Sequence, residues 1–324
     1  HSYFLLCPHT IMQEDDFMQK IILGLFAFML FCFCISNFFC IGLTDENEEI
    51  RTIKLLISST NEVIEMSLDD YITGVLVGEV PSTYEDEALK AQAIVARTYT
   101  LYKLQNSPDS HENADMCDDI NHCQAYKTKE YAMQCWDDDV EKVKWSKLEK
   151  AVKSTSGKVI TYKEKLINAF FHAHSGGMTE DVKYIWGNEE IPYLKSVKSE
   201  EGYLYEDKVV ISKSDFFNIV KNKYNDFDDT AANYSIDKLT PSGRVDKMTI
   251  GNKTLAGTEI RTLYGLRSTY FSVKEEDENI IFTTNGYGHG IGMSQEGANY
   301  MALNGKSCED IIKHYYTDVD IESI

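Results

Sequence analysis

Short alternating apolar and polar runs give way to longer stretches with helical spacing along this chain. TIKLLIS and EVIEMSL alternate on either side of Ser58-Ser59-Thr60-Asn61, which predicts two strands around a turn. Ser67, with Asp70 three residues on, predicts the start of a helix that carries Tyr71, Ile72, Val75, Leu76 and Val77 and stops at Pro81. Ser82, with Glu85 at the capping-box position, predicts the start of a second helix. Its body, EDEALKAQAIVARTYTLYKL, is nearly apolar in the middle, the pattern of a helix buried on most of its surface. Asn106 to Cys123 reads as a polar loop, and 130–136 and 146–154 as short helices. Strand patterns follow from Gly157 in KVITYKEKLINAFFHAHS. ISKSDFFNIVKNKY reads as helix, and hairpins are expected around Gly251-Asn252 and through 275–279. GYGHGIGMSQEGANYMALNG passes from a glycine-rich loop into a helix, and SCEDIIKHYYTD supplies a last one.

Ahead of these elements, Ile21 to Leu43 contains no charged residue, and about 20 such residues span a bilayer as a helix. The bulky exit Phe38-Phe39-Cys40-Ile41 favours a retained anchor over a cleaved signal peptide. Lys20 on one side and Asp45, Glu46, Glu48 and Glu49 on the other place the N-terminus inside and the body outside the cell membrane. The first residue is His, with Met12 or Met18 the expected start. The expected fold class is α+β, with a single N-terminal transmembrane helix and a two-lobed extracytoplasmic body enclosing a cleft. The expected division is a tail at 1–20, an anchor at 21–43, one lobe from 44–202 with 284–324, and a second lobe at 203–283.

Composition narrows the function. With 32 Lys+Arg against 52 Asp+Glu the net charge is -20, which argues against nucleic-acid binding, since that requires neutralised phosphates. Any anionic ligand has to be met by a local basic cluster. Cys7, Cys32, Cys34 and Cys40 lie in the tail or the apolar run; Cys117, Cys123, Cys135 and Cys308 in the body are too sparse for a disulfide scaffold.

Five places could carry chemistry. Glu79 ends an apolar helix between Val77-Gly78 and Val80-Pro81; burial there favours the protonated form, which suits a general acid, although a helix-end Glu is more often solvated. Arg97 sits mid-helix among Ala, Ile and Val, and is either a structural ion pair or a clamp on a carboxylate or on Glu79. His111, Cys117, His122 and Cys123 are the ligand types of a closed tetrahedral zinc site, structural because no position stays open; a Cys117–Cys123 disulfide and chance are the rivals. Ser175 in His172-Ala173-His174-Ser175-Gly176-Gly177 fits a substrate-binding turn better than a serine nucleophile, because no Gly-x-Ser-x-Gly elbow is present. The loop 286–295 bears His289 and Gln295 and lacks the Lys-Ser/Thr of a P-loop.

DDYITGVLVGEVPSTYEDEALKAQAIVARTY, CQAY, FFHAHSGGMTEDVKYIWGNEEIPYL, LTPSGRVDKMTI, LYGLRS and GYGHGIGMSQEGA together resemble the stage II sporulation protein D family, in order and spacing from Ser67 to Asp318. The resemblance implies a membrane-anchored lytic transglycosylase that cuts peptidoglycan glycan strands between N-acetylmuramic acid and N-acetylglucosamine and leaves a 1,6-anhydro end. It also implies a preference for strands stripped of stem peptides, work beside a cell-wall amidase of the stage II sporulation protein P type, and a setting in forespore engulfment. The family's catalytic carboxylate then falls on Glu79 and its helix arginine on Arg97, with Gln124, Ser175, His289 and Gln295 facing the cleft. His174 departs from the small hydroxyl residue common in the family, and the His/Cys loop rests on its residues alone. The rival readings are a non-catalytic glycan-binding activator of an amidase and a zinc amidase; the latter needs an open metal position.

Overall fold

The computed structural model describes residues 51–107, 111, 113–135, 141–187, 190–228 and 233–324. The expected tail and anchor, with Cys7, Cys32, Cys34 and Cys40, lie outside the described residues. Among the described residues no helix is long and apolar enough to cross a membrane.

The body is a mixed α+β structure whose described residues form eight α-helices and five small sheets, four of three strands and one of two. Strands β1 (Thr52–Ile57) and β2 (Glu62–Ser67) pair antiparallel, with Asn61 at φ 57° in the turn, a left-handed conformation that Asn tolerates. Ser67 caps α1 (Leu68–Glu79): its Oγ accepts the Asp70 N–H at 3.1 Å and donates to Asp70 Oδ2 at 2.7 Å. Helix α2 (Asp86–Asn106) starts later than Ser82 predicts, because Pro81 to Tyr84 closes a turn of its own. Its cap, Glu85, makes no side-chain cap bond, and the Glu85 N–H donates instead to Asn299 Oδ1 at 2.9 Å. Ala88 to Ala96 of α2 is buried almost throughout, as the run of small apolar residues requires.

The expected 106–123 loop contains a short strand, β3 (Met116–Cys117), that pairs parallel with β1 and so satisfies backbone groups in a buried place. Then come α3 (Lys129–Cys135), α4 (Glu141–Lys153), β4 (Lys158–Tyr162), β5 (Lys165–Leu166) and β6 (Phe171–His172). The stretch read as one helix from Ile211 splits in two. Strand β7 (Glu206–Ser212) runs to Ser212, which caps α5 (Lys213–Lys223) by accepting the Asp215 N–H at 3.1 Å. Strands β8 (Tyr234–Leu239), β9 (Val245–Ile250) and β10 (Lys253–Ala256) form one sheet, followed by α6 (Gly257–Leu263). Strands β11 (Phe271–Glu276) and β12 (Asn279–Asn285) form the hairpin through 275–279, with β7 on the far side of β12. Strand β13 (Met293–Ser294) lies parallel to β6 and leads into α7 (Gln295–Leu303), then α8 (Cys308–Tyr315) and β14 (Asp320–Ser323), which joins β4.

Two apolar clusters result. One gathers β1, α1, α2, α4, β13 and α8 around residues such as Tyr71, Leu89, Ile94, Met293 and Tyr315. The other gathers α5, β9, α6 and β12 around Phe216, Met248, Ile260 and Phe282.

Candidate active site

Glu79 is the last residue of α1, partly buried, at an open cleft of about 420 Å³ lined by Val77 to Thr83. Its Oε1 accepts the Ala125 N–H at 2.7 Å. That contact depends on two glycines. A Cβ at Gly74 would stand 2.2 Å from the Tyr126 ring, and one at Gly78 would stand 2.9 Å from the Ala125 carbonyl carbon. Segment 125–127 therefore lies directly on the backbone of α1, where the Lys127 N–H also donates to the Gly74 carbonyl at 3.1 Å. Gln295, the first residue of α7, brings its carboxamide to Glu79. Burial raises the pKa of Glu79 above the ordinary carboxylate range, and the Ala125 N–H and Gln295 hold it back. The Nε2 of Gln295 is buried, and it is the donor end of the carboxamide that lowers the Glu79 pKa.

The other expected residues divide. Gln124 is buried just before the Ala125 contact, its Nε2 donating to Thr100 Oγ1 at 3.0 Å. Arg97 does not reach Glu79. Its Nη2 meets Asp69 Oδ1 at 2.9 Å, at the opposite end of α1, and its Nη1 donates to the Thr155 carbonyl at 2.7 Å. An Arg in that apolar helix needs a carboxylate, and Asp69 in the first turn of α1 is the one it finds, so the arginine ties α2 to α1 and to the turn after α4. Burial lowers its pKa, and Asp69 opposes that.

Ser175 is fully buried, and its polar groups are taken up by the fold. Its N–H donates to Glu201 Oε1 at 2.7 Å, its Oγ accepts the Gly177 N–H at 3.0 Å, and its carbonyl accepts from Arg244 Nη2. Among the described residues no imidazole bonds its hydroxyl, so a serine nucleophile has no base here. His289 uses both ring nitrogens on backbone: Nδ1 accepts the Ile291 N–H at 3.0 Å and the other nitrogen donates to Phe171. Burial, Arg261 and Arg244 push its pKa down to about 3, so the ring is neutral. It orders the glycine loop, and its face meets Trp186 at 5.2 Å.

Sequence reasoning passed over Glu201, Glu180 and Arg244. The Glu201 carboxylate collects Ser175 N–H, Gly177 N–H and the Ser294 hydroxyl, the last at 2.7 Å, and thereby fixes the strand end that precedes Gln295. Glu180 accepts from Thr240 and Ser242 at 2.5 and 2.6 Å. Arg244, almost wholly buried, lies under Gly290, where a Cβ would stand 2.7 Å from its Cζ. A lone arginine in LTPSGRVDKMTI and the Glu200-Glu201 pair after Ser199 were the available signals.

His111, Cys117, His122 and Cys123 converge, their ligand atoms all within 4.8 Å of one another. The sulfur–nitrogen separations are 3.5 Å for Cys117–His122, 3.4 Å for Cys123–His111 and 3.6 Å for Cys123–His122. Zinc bonds of about 2.0–2.3 Å in a tetrahedron give edges of roughly 3.5 Å, so the donor set fits that ion. Both sulfurs are free thiols, so the alternative disulfide is not formed. Burial pushes the Cys117 thiol up to about 11, with Cys123 adding to it.

The profile of a family described as Stage II sporulation protein matches residues 57–162. Stage II sporulation protein D of Bacillus subtilis (strain 168) is 38% identical over 268 residues, covering 81% of this chain and 77% of that protein. An uncharacterized protein of Brachyspira hyodysenteriae is 32% identical over 272 residues, covering 80% of this chain and 67% of its own length. An amidase enhancer of Bacillus subtilis is 28% identical over 308 residues, with 78% of this chain and 40% of that protein covered.

Proposed function

This chain belongs to the stage II sporulation protein D family, and from that premise we propose that it is a lytic transglycosylase of peptidoglycan acting through Glu79 during sporulation. The observation that carries the reading is a single carboxylate at an open cleft with its pKa raised, and with only a backbone N–H and a carboxamide holding it back. Hydrolytic glycosidases work with a pair of carboxyl groups that manage an incoming water. A transglycosylase needs one. Protonated Glu79 gives its proton to the leaving glycosidic oxygen as the C–O bond breaks. The resulting carboxylate takes the proton of the muramic 6-hydroxyl as that oxygen bonds to the anomeric carbon. One proton leaves Glu79, one returns, and no water is consumed. The Ala125 N–H fixes Oε1, and the Gln295 carboxamide steadies the carboxylate from α7.

Zinc held by His111, Cys117, His122 and Cys123 would be structural, tying the 111–123 loop two residues ahead of Ala125. An anchor at 21–43 would keep the body at the outer membrane face, on the mother-cell side of the engulfing septum, beside an amidase that strips stem peptides. The test is mass spectrometry of peptide-stripped glycan strands digested with the wild-type chain and with Glu79→Gln. Anhydro-muropeptide ends from the first and none from the second support the reading; equal release from both overturns it. One relative named an amidase enhancer favours a second reading, a glycan-binding activator. An unchanged glycan together with faster amidase turnover would establish that alternative.

A further inference from the structure

Three of the chain's five arginines, Arg244, Arg261 and Arg267, gather around the 286–290 glycine loop, in a molecule of net charge -20. Arg244 is buried, Arg261 is partly buried, and Arg267 is exposed. The Arg267 guanidinium lies 4.9 Å from the centre of the Tyr287 ring, and its Nη1 donates to the Tyr287 hydroxyl at 3.2 Å. Its nearest carboxylate is Asp207, whose Oδ2 is 3.9 Å from Nε, at the limit of an ion pair. Among the described residues nothing takes up its Nη2. Tyr287 is itself fixed: its N–H donates to the His174 carbonyl at 2.8 Å and its carbonyl accepts the His174 N–H at 3.0 Å.

The ring belongs to a strip of aromatics. Tyr205 stacks on Tyr287 at 5.8 Å and 28°, and the His174 ring lies 5.8 Å from Tyr205 and 5.2 Å from half-exposed Tyr203. The Tyr203 hydroxyl donates to Glu296 at 3.1 Å, the residue after the Gln295 that stands against Glu79. Between Tyr205 and Arg267, Tyr287 keeps 38% of its surface exposed; exposed phenol surface takes the C–H groups of a sugar ring, while a half-free guanidinium takes a carboxylate.

The geometry points to a saccharide subsite at Tyr287, in which the phenol carries a sugar ring and Arg267 binds a carboxylate on that sugar. The ligand with both features is muramic acid whose stem peptide an amidase has removed, since that cleavage frees the lactyl carboxylate. This rests on the transglycosylase reading for the identity of the glycan, and it gives a physical reason for choosing stripped strands: an intact stem peptide masks the group that Arg267 reads.

The test is equilibrium binding of end-labelled strands to the full chain carrying Glu79→Gln, which prevents turnover. One set of strands is peptide-stripped, and the other is the same material with its carboxylates converted to methylamides. A charge-assisted hydrogen bond predicts about tenfold tighter binding of the free-carboxylate strands, weakening with salt. Arg267→Gln removes that difference and leaves methylamide binding unchanged, Arg267→Lys keeps part of it, and Tyr287→Ala weakens both strands. Unaltered melting temperatures keep the comparison among folded proteins. Equal binding of the two strand types, or a preference that survives Arg267→Gln, overturns the subsite. Anhydro ends made by the unsubstituted chain are scored separately. Their absence sinks the transglycosylase reading and leaves a measured carboxylate preference standing, and their presence without that preference sinks the subsite alone.

Discussion

At the scale of single residues, Glu79 and Arg97 are both charged groups in apolar helices, and their fates differ because of what lies within reach. Among the described residues a backbone N–H and a carboxamide are what hold the Glu79 carboxylate down, so burial prevails and its proton is held to higher pH. A group that must first donate a proton stops working as pH climbs through its pKa. Anhydro-end release is therefore expected to fall on the alkaline side, with a midpoint above the ordinary glutamate value of about 4.3, in a pH–rate profile. The same raised pKa makes ionised Glu79 a net cost to the fold. Stability is lost as pH rises from the unfolded value through the folded one, so Glu79→Gln is expected to keep or raise the melting temperature at neutral pH while abolishing turnover. Arg97 has a carboxylate and two buried carbonyls. Arg97→Ala leaves those acceptors without a donor and is expected to destabilise by about 3 kcal/mol, read by denaturant unfolding. Any fall in its activity should follow the folded fraction and leave the pH midpoint where it was.

At the scale of elements, the site is a contact between α1 and the 125–127 segment, permitted by Gly74 and Gly78. Gly78→Ala is expected to push the Ala125 backbone away and lengthen its bond to Glu79. Turnover should then drop several-fold while the melting temperature changes little, since the added methyl also favours the helix by roughly 1 kcal/mol. A fully active Gly78→Ala would mean that the Ala125 N–H does not matter. This level was only partly legible in the sequence. Ser67–Asp70 announced the start of α1, and the hairpins at 251–252 and 275–279 were visible from their turn residues. Strand β3 and β14 were not, because two- and four-residue strands carry too little periodicity and owe their existence to β1 and β4. Glu79 and Gln295 were found as types before their contact was seen. The Ala125 N–H could not be found, since a backbone donor leaves no trace in composition. Ser175 and His289 were singled out for their glycine settings, yet the same glycines bring backbone close enough to occupy their polar atoms.

At the scale of the whole molecule, the His/Cys loop and the cleft are joined through Gln124, the one residue between Cys123 and the Ala125 contact. Elemental analysis of the purified chain is expected to find one zinc per molecule, and Cys117→Ser to lose it. Metal removal by a chelator should lower the melting temperature and slow turnover through a looser Ala125, without changing the product formed; loss of zinc with no effect on either would separate loop and site. The chain's net charge of -20 would repel an anionic glycan at long range, so its binding would have to rest on local groups such as the arginines near Tyr287. The central claim is that one carboxylate moves one proton out and back without water. The most direct measurement is the mass of new glycan ends formed in heavy-oxygen water by the wild-type chain. The account predicts 1,6-anhydro ends that carry no label; reducing ends that carry the heavy oxygen would contradict it.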